Sequence, residues 1–258
     1  MPLLPNLHRI ATADQQIRRE ALIEILEEMD APYTVFEDRV RNRRPQNVVV
    51  PFHEGNPRSV IGAHYDSVSG STGANDNAAG VCVLLEALKH MLKTPPSVPV
   101  DVVFFDQEER GFRGSQGYIE RVSSENIRAF LNLDVCGVGD TITLAPREHV
   151  TYSPLKNTLE QVEQSGRHQV RTIHELPIND AWSFEQADIP NVTACILPYD
   201  EVDKMVSYVR AMNKFEFPDA YPTVMDTMHH GELDDIEIVE ESAMQKVLAW
   251  VLDVVRAL

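Results

Sequence analysis

SVIGAHYDSVSGSTGANDNAAGVCVLLEALKHMLK, Ser59 to Lys93, reads as one strand, one loop and one helix. Ser59–Ala63 is a short apolar run with the character of a buried strand, and it ends in His64-Tyr65-Asp66. Small residues from Ser67 to Asn75 make a loop. From about Asn77 to Lys93 the apolar positions Val81, Leu84, Leu85, Leu88 and Leu92 recur at helical spacing, and Pro95-Pro96 stops the helix. The next strongly apolar run, Val100–Phe105, supplies a second strand. Strand, helix and strand in succession predict a parallel sheet covered by helices.

The same alternation extends in both directions. Toward the N-terminus, Ile17, Ala21, Leu22, Ile25, Leu26 and Met29 form the apolar stripe of a helix over Thr12–Asp30, with Thr12 or Asp14 as its cap. Tyr33–Phe36 and Asn47–Val50 read as short strands joined by the charged segment Glu37–Pro45, a hairpin turn or loop. Toward the C-terminus, helices are expected at Gly114–Val122, Pro154–Gln164, Val202–Met212 and Ile236–Leu258. Strands are expected at Ala129–Leu133, Thr141–Leu144, Val170–His174 and Val192–Ile196. The fold class is therefore α/β, a three-layer α/β/α arrangement with a mostly parallel central sheet, and residues 1–258 are expected to form a single domain.

Composition narrows the partners. Lys plus Arg is 23 and Asp plus Glu is 40, a formal charge of −17, against the basic footprint that nucleic acid or anionic membrane requires. Neither is expected as a partner. Cys82, Cys136 and Cys195 form no CxxC pair, which fits a reducing compartment. The N-terminal segment lacks the apolar core of a signal peptide, and no window has the ~20 apolar residues of a membrane span. A cytoplasmic location is the expectation. A homo-oligomer is compatible with the sequence.

In open parallel sheets, sites form at the carboxyl ends of the strands. His64 and Asp66 follow the strand Ser59–Ala63; Asp106-Gln107-Glu108-Glu109 follows Val100–Phe105; Asp134 follows Ala129–Leu133; Asp76 precedes the helix at Asn77. An imidazole and several carboxylates at one sheet edge need a cation to balance them. His with carboxylates suits zinc, manganese or cobalt.

The segments AHYDS (63–67), GANDNAAG (73–80), FFDQEERGFRGS (104–115) and LNLDVCG (131–137) occur in this order. Together they resemble the co-catalytic di-zinc aminopeptidase family, metallopeptidase family twenty-eight, which includes bacterial leucyl aminopeptidases and has glutaminyl cyclases as relatives. With the late histidine segment, the likeness spans Ala63 to Asp234, about two-thirds of the chain. It implies the zinc-exopeptidase fold, of phosphorylase/hydrolase-like type. It also implies two zinc ions per chain, with cobalt or manganese as substitutes.

The resemblance assigns roles residue by residue. His64 and Asp134 match ligands of the first zinc, and Asp66 the partner that orients the His64 ring. Asp76 matches the bridging carboxylate, Glu108 the general base and Glu109 a ligand of the second zinc. A late His completes the set. In Thr227-Met228-His229-His230-Gly231-Glu232-Leu233-Asp234, His230 has the expected acid at plus four. Gly231 replaces the usual hydroxyl residue, so the register leaves both His230 and His229 open as the ligand. With His230 as ligand, His229 occupies the place where some relatives carry an aromatic that stabilises the oxyanion. Asp180-Ala181-Trp182-Ser183-Phe184 with Ala187–Pro190 is similar to the family segment that borders the substrate cleft. The implied activity is removal of N-terminal residues from a peptide or amide substrate with a free amine. The alternatives are a glutaminyl-cyclase-like acyltransferase, which usually has a Trp-rich pocket where this chain has only Trp182 and Trp250, and an amidohydrolase acting on a non-peptide amide. A non-catalytic module on the same fold would be expected to have lost ligands, and the candidates are all present.

Overall fold

The computed structural model describes residues 3–146, 154–228 and 233–258. Its centre is β3 (Arg58–His64), flanked by β4 (Val100–Phe105) and β5 (Ile127–Leu133), and parallel to both. Beyond β5 lies β8 (Asn191–Leu197), also parallel. The block β4-β3-β5-β8 thus sends its carboxyl ends to one edge, as the strand–helix alternation requires.

The central block is parallel, as expected of a mostly parallel sheet, and antiparallel pairings enter at the flanks. β1 (Thr34–Glu37) and β2 (Gln46–Phe52) form an antiparallel pair, and β2 runs antiparallel to β4. β6 (Thr141–Pro146) is antiparallel to β8, and β7 (Val170–Thr172) closes that side parallel to β6. The eight-stranded sheet has the order β1-β2-β4-β3-β5-β8-β6-β7 and is mixed. The turn between β1 and β2 is too short for a parallel crossover, which fixes their hairpin pairing.

Alternation along β4 shows how the faces are filled. Val100, Val102 and Phe104 join one core with α1 (Leu4–Ile10), α2 (Gln15–Glu28), α3 (Gly80–Lys93), α5 (Pro154–Gln164) and α8 (Glu241–Ala257). Val103 and Phe105 face the other side, against α4 (Arg113–Val122) and α6 (Ala181–Gln186). There Phe130 stacks on Phe184 with centroids 3.8 Å apart, and Phe105 meets Tyr118 and Phe130 edge-on. Gly62 makes this packing possible: a Cβ at that position would lie 2.4 Å from the Phe105 ring.

Asp14, one of the two expected caps, begins α2 by accepting hydrogen bonds from Gln16 N and Ile17 N. The stripe is shifted at its first turn. Ile17 is exposed, and Arg18 is buried instead, because its guanidinium donates to carbonyls of Tyr65, Thr72 and Gly73. The helix expected from Asn77 becomes regular only at Gly80, after an irregular turn over Ala74–Ala79. The last helix is similarly shortened: Ile236–Ile238 is a separate 3-10 turn, and Glu240 N donates to Gly137 O before α8 begins. α1 and α6 have no counterpart among the expected helices. Among the described residues, no helix is long and apolar enough to cross a membrane.

Candidate metal centre

The parallel block brings the strand-end residues together. His64 is the last residue of β3, Glu108 and Glu109 lie on the loop after β4, and Asp134 follows β5. Asp76 sits in the irregular turn before α3 rather than capping it. His64 Nε2 is 3.1 Å from Asp76 Oδ1 and 3.5 Å from Asp134 Oδ1. One donor atom from each of His64, Asp76 and Asp134 falls within 4.8 Å of the others. Glu108 and Glu109 line the same cavity.

Asp66 ties the site to its scaffold. Its Oδ1 accepts the backbone N–H of Glu108 at 2.9 Å and its Oδ2 that of Glu109 at 3.2 Å. The same Oδ1 stands 3.5 Å from His64 Nδ1. One buried carboxylate therefore fixes both residues of the glutamate pair and faces the ring nitrogen turned away from Asp76.

Two asparagines beside Asp76 do comparable work. Asn77 donates from Nδ2 to Leu133 O at 2.9 Å, and its Oδ1 accepts Val135 N–H at 3.2 Å, which clamps the backbone on both sides of Asp134. Gly80 leaves room for that side chain, since a Cβ there would lie 2.2 Å from Asn77 Oδ1. Asn75 Oδ1 accepts Gly137 N–H at 2.7 Å, and its Nδ2 donates to Thr227 Oγ1 at 3.0 Å.

The late histidines, His229 and His230, lie outside the described residues. The flanking positions are described. Met228 lines the cavity, and Asp234 accepts N–H bonds from Asn75 at 2.7 Å and Asp76 at 3.4 Å.

The electrostatics call for a cation. Burial opposes charge on His64, yet its hydrogen bonds with Asp134, Asp66 and Asp76 outweigh burial and hold the imidazolium pKa well above its usual range. Burial raises Glu108 well above the carboxylate range, and burial together with the Asp76 charge pushes Glu109 up to about 8. Burial also raises Asp134, whose buried Oδ1 has, among the described residues, the 3.5 Å approach of His64 Nε2 to offset its loss of water. An imidazole nitrogen among carboxylates that repel one another is the donor set of a zinc-type centre. The residues present fit divalent ions.

Sequence patterns give no sign of some contributors. Arg18 is a buried cation, held down to about 10 by burial against the charges of Asp66, Asp234 and Asp76. Asp180 belongs to the segment similar to the family's cleft border, with no role of its own expected. It is fully buried, neither carboxylate oxygen has a well-formed hydrogen bond among the described residues, and burial raises it to about 7. Trp182 packs against Phe112, with ring centroids 5.7 Å apart. Of the cysteines, Cys195 lines the cavity although it reads as strand core, while Cys136 is buried as expected of a structural thiol.

The metal-type donors form one wall of a cavity of about 290 Å³. Val135, Leu176, Leu197, Met205, Met225 and Met228 make much of the rest, and no Lys or Arg is among its described lining residues.

Comparison with known proteins agrees with this fold. Aminopeptidase YwaD of Bacillus subtilis is 30% identical over 146 residues, 53% of this chain and 32% of its own length. The LapA aminopeptidase of Legionella pneumophila superposes with a TM-score of 0.72 at 18% identity, over 98% of this chain and 70% of that one. A glutaminyl cyclase from an Acidobacteriales bacterium superposes with a TM-score of 0.70 at 15% identity, over 98% and 90%. At these identities the superpositions establish a shared α/β fold. The chain spans about a third or less of the length of the curated relatives it matches. The model of Peptidase family M28 matches residues 47–255, a range that takes in the donor wall from His64 to Asp134 and both asparagines that frame Asp76. The chain belongs to Peptidase family M28.

Proposed function

We propose that the chain is a two-metal aminopeptidase that releases N-terminal residues with large apolar side chains from peptides. The observation that carries this reading is the make-up of the cavity. One wall is acidic and metal-binding in character, the rest is largely apolar, and no described lining residue is basic. A protonated α-amine finds carboxylates there, and an apolar side chain finds three methionines and two leucines. A substrate's terminal carboxylate finds no cation among the described lining residues. This favours action at the amino end over action at the carboxyl end.

His64, Asp76, Glu109 and Asp134 would hold the ions, with Asp76 in the shared-carboxylate role that the family likeness implies and His230 as the remaining ligand. Divalent ions bound there supply Lewis acidity, lowering the pKa of water and polarising the scissile carbonyl. Glu108 accepts the proton of the attacking water at its carboxylate and delivers it to the departing amine. Asp66 keeps Glu108 in place through the 2.9 Å bond to its N–H, so base and ligand keep a fixed separation. The apolar walls exclude water from the side-chain pocket and orient the carbonyl toward the acidic wall.

The test is metal analysis of purified protein together with hydrolysis of aminoacyl-anilides before and after chelation. Two ions per chain and chelator-sensitive release, faster for leucyl and phenylalanyl than for alanyl or glutamyl substrates, are expected. Cyclisation of N-terminal glutamine without anilide release would replace this reading with the acyltransferase one.

A further inference from the structure

The loop after β4 separates two cavities. Glu108 and Glu109 line the one described above, whereas Asp106, Gln107 and Arg110 line a second, of about 330 Å³, closed on its far side by the start of α2. Its size is at the lower end of small-ligand sites.

The charges facing this second cavity are unusual for a chain with a net charge of −17. Arg19, Arg44 and Arg110 line it. Arg44 pairs with Glu37 at 2.9 Å; among the described residues, Arg19 and Arg110 have no carboxylate partner. The two acids present are already engaged. Asp66 accepts the N–H groups of Glu108 and Glu109. Asp106 accepts Gln46 N–H at 2.8 Å and Gln107 Nε2 at 3.3 Å, and burial pushes it up to about 6. Arg39, Arg41 and Arg43 precede Arg44 in sequence but are not among the lining residues. A concentration of guanidinium groups at one mouth of an acidic molecule draws small anions toward it. Unpaired guanidinium forks match carboxylate and phosphate oxygens.

We propose that this second cavity is a binding site for a small molecule carrying a carboxylate or phosphate group, held between Arg19 and Arg110. An occupant touches the same four-residue stretch that carries Glu108 and Glu109, so it bears directly on the metal-facing pair. The assignment is independent of the reaction at the metal centre.

The test is isothermal titration of inorganic phosphate, and separately of succinate, into metal-loaded full-length protein at constant ionic strength. Saturable binding of at least one probe is expected, and the tighter arm identifies the kind of group. The double variant Arg19→Gln/Arg110→Gln should weaken that binding by about tenfold or more, as expected for loss of charge-assisted contacts. Arg39→Gln, with a charge change outside the cavity, should leave it within about twofold, because exposed charges act weakly in salt. Both arginines are at the surface, and an unchanged Tm confirms that the double variant folds. Equal affinity in wild type and double variant would place the anion on the metal ions and overturn the assignment. So would an equal loss in Arg39→Gln, or the absence of saturation with either probe up to about 20 mM, which is weaker than specific small-molecule binding.

Discussion

Asp66→Asn is the most revealing single substitution, because one isosteric change separates charge from shape. The wild-type carboxylate accepts Glu108 N–H at 2.9 Å in a buried bond and Glu109 N–H at 3.2 Å in a part-buried one. Asparagine retains one acceptor oxygen and turns an NH₂ group toward the other N–H. A hydrogen bond to a charged group contributes about 1.5–3 kcal/mol, a neutral one about 1, and a stranded buried donor costs about 1–3. The balance is a loss on the order of 3 kcal/mol. For a chain of this size that corresponds to a fall in Tm of roughly 6–12 °C. The His64 ring keeps the Asp66 backbone carbonyl 3.2 Å from Nδ1 but loses the anion at 3.5 Å, so zinc affinity should fall about tenfold, the lower end for partners of metal-bound histidines. Thermal unfolding in chelator measures the loss of the hydrogen bonds together with the charge contacts of Asp66 to His64 and Arg18, and chelator competition measures the affinity. Zinc affinity within about twofold of wild type, with an unchanged Tm, would refute the view that Asp66 organises both sides of the centre.

Other substitutions probe separate parts of the site. Glu108→Gln should reduce anilide hydrolysis by at least about 10³-fold while metal content stays at the wild-type level; loss of metal instead would show that Glu108 is a ligand. Asp180 is neutral in both states below its ordinary pKa of 3.8, and between there and about 7 the unfolded chain gives up the proton that the folded chain keeps. Its contribution to stability therefore falls as pH rises through that window, by up to about 4 kcal/mol, and levels off above it. Asp180→Asn should flatten the dependence of Tm on pH between about 4 and 7, read by calorimetry on protein kept in chelator, where metal release adds no pH dependence of its own. An unchanged slope would show that Asp180 is solvated or paired in solution. Met205→Phe fills the apolar pocket and should lower the ratio of leucyl- to alanyl-anilide kcat/KM by about tenfold or more.

Much of the centre is legible in the sequence because its residues sit where regular patterns end. Apolar runs locate β3, β4 and β5, and the chemistry follows within the next few positions: His64, Glu108 and Asp134. The edge strands are harder, since a short hairpin and a parallel crossover begin with the same kind of apolar run; only the lengths of the connections tell them apart. Arg18 escapes for a related reason. Helical periodicity assigns the buried stripe by apolarity, so Ile17 looks internal, yet the carbonyls of Tyr65 and Thr72, distant in sequence, draw Arg18 inside. The pocket is least visible. Val135, Leu176, Cys195, Met205 and Met225 come from separate segments, and each alone resembles ordinary core. Asn75 and Asn77 carry a signal, since they frame Asp76 within GANDNAAG, but their roles become apparent only with the clamp around Asp134.

The central claim is that His64, Asp76, Glu109 and Asp134 share a pair of divalent ions. Anomalous X-ray diffraction at the zinc absorption edge, on crystals of zinc-loaded protein, tests it directly. Two peaks are predicted, with His64 nitrogen and carboxylate oxygens at about 2.0–2.2 Å and Asp76 reaching both. No peak beside His64, or zinc bound only elsewhere on the chain, would contradict it.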